Sequence, residues 1–392
     1  MNTYAQVAKK DWGLSAEAMS IIYDCVFLPV TTYACGSWGW ATQKVHVKRK
    51  LISSQRRALL LIKKSFRTVS NSCLQVLAKK PPLDLTILEK EKFYHIKWGK
   101  DIEVNTAIYT QDEIEWSFPF RNTLSSIGQG INPRNDIGNS SINIFTDGSK
   151  LEGNVGCSMV VYDNENEVAN ETYKLDDRCS VFQAELLAIG KAVELINRTY
   201  HNITATINTD SLSDYNILMS PKLHPLAEPI RRDIKSSNCQ IFLNWVRAHQ
   251  GIKGNERADE LAKSATYLDN EQIIYRKLSQ RTLRRLLKQD TIQLWQNIWD
   301  RNPDHITHKF IRKLDNFINT SWITPDYYTS QVMTNHGKYA NYLARFANKN
   351  NNKCTECDTE DGPTHYLYHC VIFQRERIKL ICTLKKYDIT WP

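Results

Sequence analysis

The sequence has no apolar run approaching the roughly 18 residues that a membrane-crossing helix needs. Its nearest candidate, Ile21 to Val30, carries Asp24 inside it, so no membrane partner is expected. The first thirty residues lack the charged segment, apolar core and small-residue cleavage site of a secretory leader. An intracellular location, nucleus or cytoplasm, is the expectation. Cysteine is scarce: 10 in 392 residues are too few for a disulfide scaffold. Sequons such as Asn197–Thr199 and Asn202–Thr204 therefore carry no weight. With only 15 glycines and 12 prolines the chain is not collagen-like, and 42 % hydrophobic residues with 10 % aromatics exclude a wholly disordered one. At roughly 100–200 residues per domain, two or three domains are expected.

Charge divides the chain. Residues 1–140 hold 19 Lys and Arg against 12 Asp and Glu, residues 141–267 hold 13 against 17, and residues 268–392 hold 19 against 13. Basic flanks thus enclose an acidic centre. Such an arrangement suits an enzyme whose carboxylates gather cations while its flanks hold a polyanion, or simply a set of solvated faces. Within Lys44–Lys64, Leu51, Gln55, Ala58, Leu59 and Ile62 recur near helical spacing among Lys48, Arg49, Lys50, Arg56 and Arg57. This predicts a basic amphipathic helix that either tracks a nucleic-acid backbone or packs one face and solvates the other.

The acidic centre has a different texture. Ile142, Ile144 and Thr146 alternate with Asn143, Phe145 and Asp147 before Gly148-Ser149, which places Asp147 at the end of a strand. Val155–Tyr162 and Val168–Leu175 predict two more strands of a meander. Val181–Asn197 predicts a helix whose stripe of Ala184, Glu185, Ala188, Ile189 and Ala192 turns Glu185 toward the sheet. A fourth strand runs from Ile203 to Thr209 and ends at Asp210, and a fifth spans Cys239–Val246. A last helix begins near Asn255 with Asp259 in its first turn. The order β-β-β-α-β-α-β-α predicts an α/β fold with a mixed five-stranded sheet and flanking helices. Four convergent carboxylates stay ionised together only if cations neutralise them. Oxygen-only ligands favour Mg²⁺ or Mn²⁺, and two such ions about 4 Å apart can activate water against a phosphodiester.

Ile144-Phe-Thr-Asp-Gly-Ser149, Phe182-Gln-Ala-Glu-Leu186, Asn208-Thr-Asp-Ser211 and Trp245-Val-Arg-Ala-His-Gln-Gly-Ile-Lys-Gly-Asn-Glu-Arg-Ala-Asp259 resemble, in order and spacing, the motifs of ribonuclease H. The resemblance implies that Asp147, Glu185, Asp210 and Asp259 hold two Mg²⁺ or Mn²⁺ ions. It makes His249 the mobile-loop histidine that assists proton transfer or product release. It further implies hydrolysis of the RNA strand of an RNA·DNA hybrid, leaving a 3′-hydroxyl and a 5′-phosphate, with a 2′-hydroxyl contact telling RNA from DNA. Ser149, Ser211, Arg247 and Asn255 are its expected nucleic-acid contacts, joined by Arg56 and Arg57 of the basic helix. Where relatives usually carry Pro-Gly before the histidine, this chain has Arg247-Ala248.

The flanks extend the resemblance. Pro29–Trp38, Ser54–Arg57, Phe66–Ser70 and Ala78-Lys-Lys-Pro-Pro-Leu83 resemble the thumb and connection of non-LTR retrotransposon reverse transcriptases. No Tyr/Phe-Ala-Asp-Asp box occurs, so no polymerase palm is expected, and a separate polymerase-bearing protein is a conceivable partner. Beyond Ala265 a basic helical region is expected, with Trp295 and Trp299 packing. Cys354-x2-Cys357-x7-His365-x4-Cys370 has zinc-ligand spacing, with His369 as a substitute ligand, and resembles the C-terminal segment of the same polyproteins. Four protein ligands would make that Zn²⁺ structural. The expected organisation is a thumb remnant at 1–100, a linker at 101–140, ribonuclease H at 141–267 and a helical, zinc-binding tail at 268–392. Two rivals to a working retrotransposon-derived nuclease are a catalytically silent nucleic-acid-binding remnant and, as another enzyme, a host ribonuclease H.

Overall fold

Alternating apolar residues from Ile142 onward build long strands, since each burying side chain meets a partner across the ladder. A computed structural model describes residues 14–116, 131–134, 140–220, 222–347, 351–388 and 390. The chain divides into one unit made from residues up to Tyr94 with those from Leu287 on, and a second running from His95 to Leu286.

The second unit holds three short strands, β1 (Ile102–Val104), β2 (Ala107–Tyr109) and β3 (Ile114–Glu115), then β4 (Asn132–Arg134). A meander follows: β5 (Ile142–Leu151), β6 (Asn154–Asp163) and β7 (Asn166–Leu175). Next come α1 (Val181–Thr199), β8 (Thr204–Thr209), α2 (Leu212–Met219), α3 (Ala227–Lys235), β9 (Gln240–Trp245) and α4 (Lys253–Ala265). β10 (Ile273–Tyr275), β11 (Leu278–Ser279) and α5 (Gln280–Trp299) complete the order used below.

The sheet runs β10-β7-β6-β5-β8-β9-β4. β5 is antiparallel to β6 and parallel to β8, so the strand that carries Asp147 is flanked on both sides. Asp147, expected at a strand end, lies inside β5, which runs on to Leu151 because its antiparallel ladder with β6 continues past Gly148. The expected α/β architecture with a mixed sheet is present, with two corrections. The sheet has seven strands rather than five, because β4 pairs with β9 and β10 with β7 at the edges. Residues 101–140, expected as linker, supply β1 to β4. These pieces of two or three residues carry too little alternation to be recognised alone and exist because a neighbour accepts their hydrogen bonds. Most of the Gly/Asn/Ser-rich stretch at 128–141 lies outside the described residues.

Two helices, not one, join β8 to β9. The turn between them is held by Arg231 of α3, whose buried guanidinium donates to the carbonyls of Leu218 at 3.0 Å and Ser220 at 2.6 Å and pairs with Glu228. α1 packs Leu186, Ile189, Val193 and Ile196 against Ile144, Ile207 and Leu243. On the opposite face of β5, α4 sets Ala258 against Phe145, Val160 and Tyr162. Helices on both faces explain why β5 is buried over eight consecutive residues.

The first unit is helical. Val45–Lys63 buries Gln55, Ala58, Leu59 and Ile62 along one face and leaves Arg57 exposed. Its core joins Met19, Tyr23, Leu74, Leu77 and Ile87 to Trp295 and Trp299, so both tryptophans pack. Among the described residues no single helix is long and apolar enough to cross a membrane.

Candidate active site

Asp147 lies in β5 directly before Gly148, and that glycine decides how close α1 comes. A Cβ at Gly148 would lie 2.5 Å from the Glu185 backbone nitrogen and 2.9 Å from the Ala184 carbonyl carbon. Without one, the second turn of α1 rests on the strand and delivers Glu185 beside Asp147. On the other side Gly254 does the same for α4, since its Cβ would sit 2.3 Å from the Phe145 ring. Asp210 follows β8, which lies parallel to β5 in register Thr146↔Thr209. The parallel pairing of β5 with β8 stops at that pair, so Asp147 and Asp210 come next in the two segments where they part.

One carboxylate oxygen from each of Asp147, Glu185 and Asp210 lies within 4.8 Å of the other two. Asp147 and Glu185 are both 7 % exposed, and Glu185 Oε2 is buried without a hydrogen-bond partner. Burial, then the charges of Asp210 and Asp259, push the Asp147 carboxyl up to about 7. Glu185 is raised well above the ordinary range, first by burial, then by Asp147, Asp210 and Asp214. A cluster that resists ionisation and presents an orphaned buried oxygen is chemically suited to a hard divalent cation.

Two side chains hold Asp210 in place, one expected as a nucleic-acid contact and one that sequence reasoning passed over. Asn255 Nδ2 donates to Asp210 Oδ2 at 3.1 Å, and the Trp245 indole N–H donates to the Asp210 carbonyl at 3.0 Å. Asn255, expected to touch nucleic acid, is buried and committed to Asp210 instead, and Trp245 lies inside the same motif without an assigned role. Asp214 was missed altogether. It is fully buried on α2, accepts from Ser211 Oγ, and is pushed up to about 7 by burial. Its position four residues after Asp210, on the inner face of a short helix, was the available signal.

The remaining expected site residues are distributed differently. Asp259 stands outside the set of three. It lies in the second turn of α4, not the first, is half-buried, and accepts from Lys263 Nζ at 2.6 Å. His249 is exposed in the loop between β9 and α4, in left-handed backbone at φ 55°, with Gly251 at φ 73° two residues on. Arg247 is exposed beside it. Ser149 is buried in β5, and Ser211 caps α2. Arg56 donates to Asn71 Oδ1 at 2.7 Å and to the Arg67 carbonyl, which commits its guanidinium to the fold.

Residues 139–267 match the RNase H family model. This segment is an RNase H domain.

The chain is also similar over part of its length to proteins of retrotransposable elements. A 115 kDa protein of the type-1 retrotransposable element R1DM of Drosophila melanogaster is 37 % identical over 108 residues, covering 28 % of this chain and 11 % of the relative. A retrovirus-related Pol polyprotein of the type-1 retrotransposable element R1 4 of Nasonia vitripennis is 30 % identical over 103 residues, which are 26 % of each chain. The chain thus matches only about a quarter or less of these relatives' length.

A second cluster lies outside the RNase H domain. Ligating atoms of Cys354, Cys357, His365 and Cys370 all fall within 4.8 Å of one another. Cys354 Sγ and Cys370 Sγ are 4.0 Å apart, close to the ~3.8 Å expected for tetrahedral 2.3 Å zinc–sulfur bonds. His365 Nδ1 is 3.1 Å from Thr359 Oγ1, while its Nε2 is buried and unpartnered. Backbone N–H groups of Glu356 and Cys357 draw the Cys354 thiol down to about 7, favouring the thiolate. The donor set fits a structural Zn²⁺, and His369 is not part of it.

Proposed function

We propose that this chain is a metal-dependent endoribonuclease that hydrolyses the RNA strand of RNA·DNA hybrids. The observation that carries the reading is the convergence of Asp147, Glu185 and Asp210 with an unpartnered, buried Glu185 oxygen among them. Asp147, Glu185 and Asp210, with Asp259 at the rim, are the residues that would hold two Mg²⁺ or Mn²⁺ ions. Bound there, such ions supply Lewis acidity and a water made nucleophilic near neutral pH. Asn255 and Trp245 keep the Asp210 carboxylate oriented between β8 and α4. To His249 we assign proton transfer at the leaving oxygen and movement with product, a role supported by its exposure on a loop with two left-handed residues.

Substrate grip has a physical basis in the same unit. A groove of about 1020 Å³ at the amino end of α1 is lined by Lys150, Arg178, Arg281 and Arg285. Its cations suit backbone phosphates of a duplex, a sequence-independent contact. We further read the N-terminal helices as a segment like a reverse transcriptase thumb and connection and the Cys354–Cys370 cluster as a structural Zn²⁺ site.

One observation favours a second reading, binding without cleavage: Lys263 already neutralises Asp259. A single experiment separates the two. The full chain is assayed with Mg²⁺ on a labelled RNA·DNA hybrid, beside Asp147→Asn and beside single-stranded RNA, double-stranded RNA and double-stranded DNA. Hybrid-only cleavage that is lost in the variant supports the nuclease. Retained hybrid binding with no cleavage by the wild type establishes the silent reading instead.

A further inference from the structure

The amino end of α1 is bonded to residues that lie outside the RNase H match at 139–267. Gln183, the third residue of that helix, is fully buried. Its Oε1 accepts from the Ser180 backbone N–H at 3.0 Å and from Ser180 Oγ at 3.1 Å, closing a capping box. Its Nε2 points the other way, to the Lys277 carbonyl at 3.0 Å and to Glu115 Oε2 at 3.3 Å. The second oxygen of Glu115 accepts from the Tyr275 hydroxyl at 2.6 Å. β11 pairs with β3 in the register Leu278↔Ile114 and Ser279↔Glu115, so the two flanking segments are themselves joined. β10 is tied to the sheet through β7, and the Asp176 N–H donates to the Tyr275 carbonyl at 2.9 Å.

This junction is specific in a way that simple tethering does not require. Glu115 is 5 % exposed, and its described partners are a hydroxyl and an amide, with no cation bonded to it. A buried carboxylate costs more than an apolar residue of the same volume would, unless directional hydrogen bonds are what the site needs. Gln183 has every polar atom engaged, and its bonds run along and across the helix axis at once. Two residues later comes Glu185, whose backbone nitrogen already sits against Gly148 with no room for a Cβ. A slide or tilt of the first turn by a few tenths of an ångström is therefore transmitted to the carboxylate.

We propose that Glu115, acting through Gln183 and supported by Tyr275, is a positioning residue for Glu185. The working nuclease unit then extends beyond the RNase H segment on both sides, from β3 to β11. The proposal rests on the reading of Asp147, Glu185 and Asp210 as a cation-binding set. It assigns the flanks a task in metal binding and turnover, in addition to holding the chain together.

The test uses the full chain with Glu115→Ala, Glu115→Gln and Tyr275→Phe. Mn²⁺ affinity is measured by calorimetry without nucleic acid, and kcat and KM are measured on a labelled hybrid. Removing a partner that orients a metal ligand weakens metal affinity by roughly 10- to 100-fold. Glu115→Ala is expected to reach about tenfold, with a matching fall in kcat and an unchanged KM. Tyr275→Phe and Glu115→Gln are expected to fall between it and the wild type, since each keeps part of the network. Because these two variants preserve shape, they keep the test decisive should Glu115→Ala fail to fold. A lowered melting temperature with unchanged Mn²⁺ affinity in all three overturns the proposal, as does a rise in KM alone. If the wild type binds Mn²⁺ but cleaves no hybrid, the nuclease reading fails while the affinity series still decides the positioning role.

Discussion

Replacing Asp147 with asparagine is expected to destroy cleavage and yet to stabilise the metal-free protein. In the folded state burial and the neighbouring carboxylates raise the Asp147 carboxyl from 3.8 to about 7. One pH unit corresponds to 1.36 kcal/mol, so ionising this group inside the fold costs at most about 4 kcal/mol relative to the unfolded chain. Relaxation of the cluster and sharing of protons with Glu185 reduce that bound, and a gain of roughly 1–2 kcal/mol is the expected result, in the range seen when strained active sites are relieved. The sign follows from proton linkage. A raised carboxyl binds more protons folded than unfolded, so stability is lost as pH rises from about 4 to about 7 and stays lost above. The Asp147→Asn variant lacks that loss. Calorimetry in EDTA should therefore place its melting temperature a few degrees above the wild type at pH 8, with a smaller difference at pH 5. Adding Mg²⁺ at pH 8 should raise the wild type and leave the variant nearly unmoved. A variant that melts at or below the wild type in EDTA at pH 8 would refute the argument that repulsion is stored in the cluster.

Three further outcomes follow from the geometry. Gly148→Ala forces a methyl to within 2.5 Å of the Glu185 nitrogen, and denaturant titration should show a loss of about 1–3 kcal/mol together with weaker Mn²⁺ binding. Lys263→Met releases Asp259 from its 2.6 Å ion pair, so divalent affinity should increase by a few-fold, about what a surface pair of up to 1 kcal/mol allows; unchanged affinity would place Asp259 outside the metal site. His365→Ala removes one of four clustered ligands, and metal analysis should fall from one equivalent of zinc to well below it while hybrid cleavage, carried by the other unit, persists.

The main strands, the long helix and the three carboxylates that meet were legible in the sequence because each rests on local patterning. Ile142, Ile144 and Thr146 alternate at period two, and the stripe from Ala184 to Ala192 repeats at helical spacing, so Glu185 falls on a predictable face and Asp210 at a predictable strand end, whereas Asp147 lies inside a strand that pairing with β6 extends to Leu151. The Cys354–Cys370 spacing was equally local. What only the tertiary structure decided depends on contacts between segments far apart in the chain. Asp259 belongs to the same motif as His249, yet a lysine one turn away claims it, and no periodicity reveals which partner wins. Asp214 has the composition of a helix-capping residue and becomes a buried carboxylate because α2 turns it inward. The edge strands β4 and β10 are too short to announce themselves and exist through pairing. Glu115 and Gln183 stand 68 positions apart, and only the packing of β3 and β11 on the first turn of α1 brings their side chains into contact.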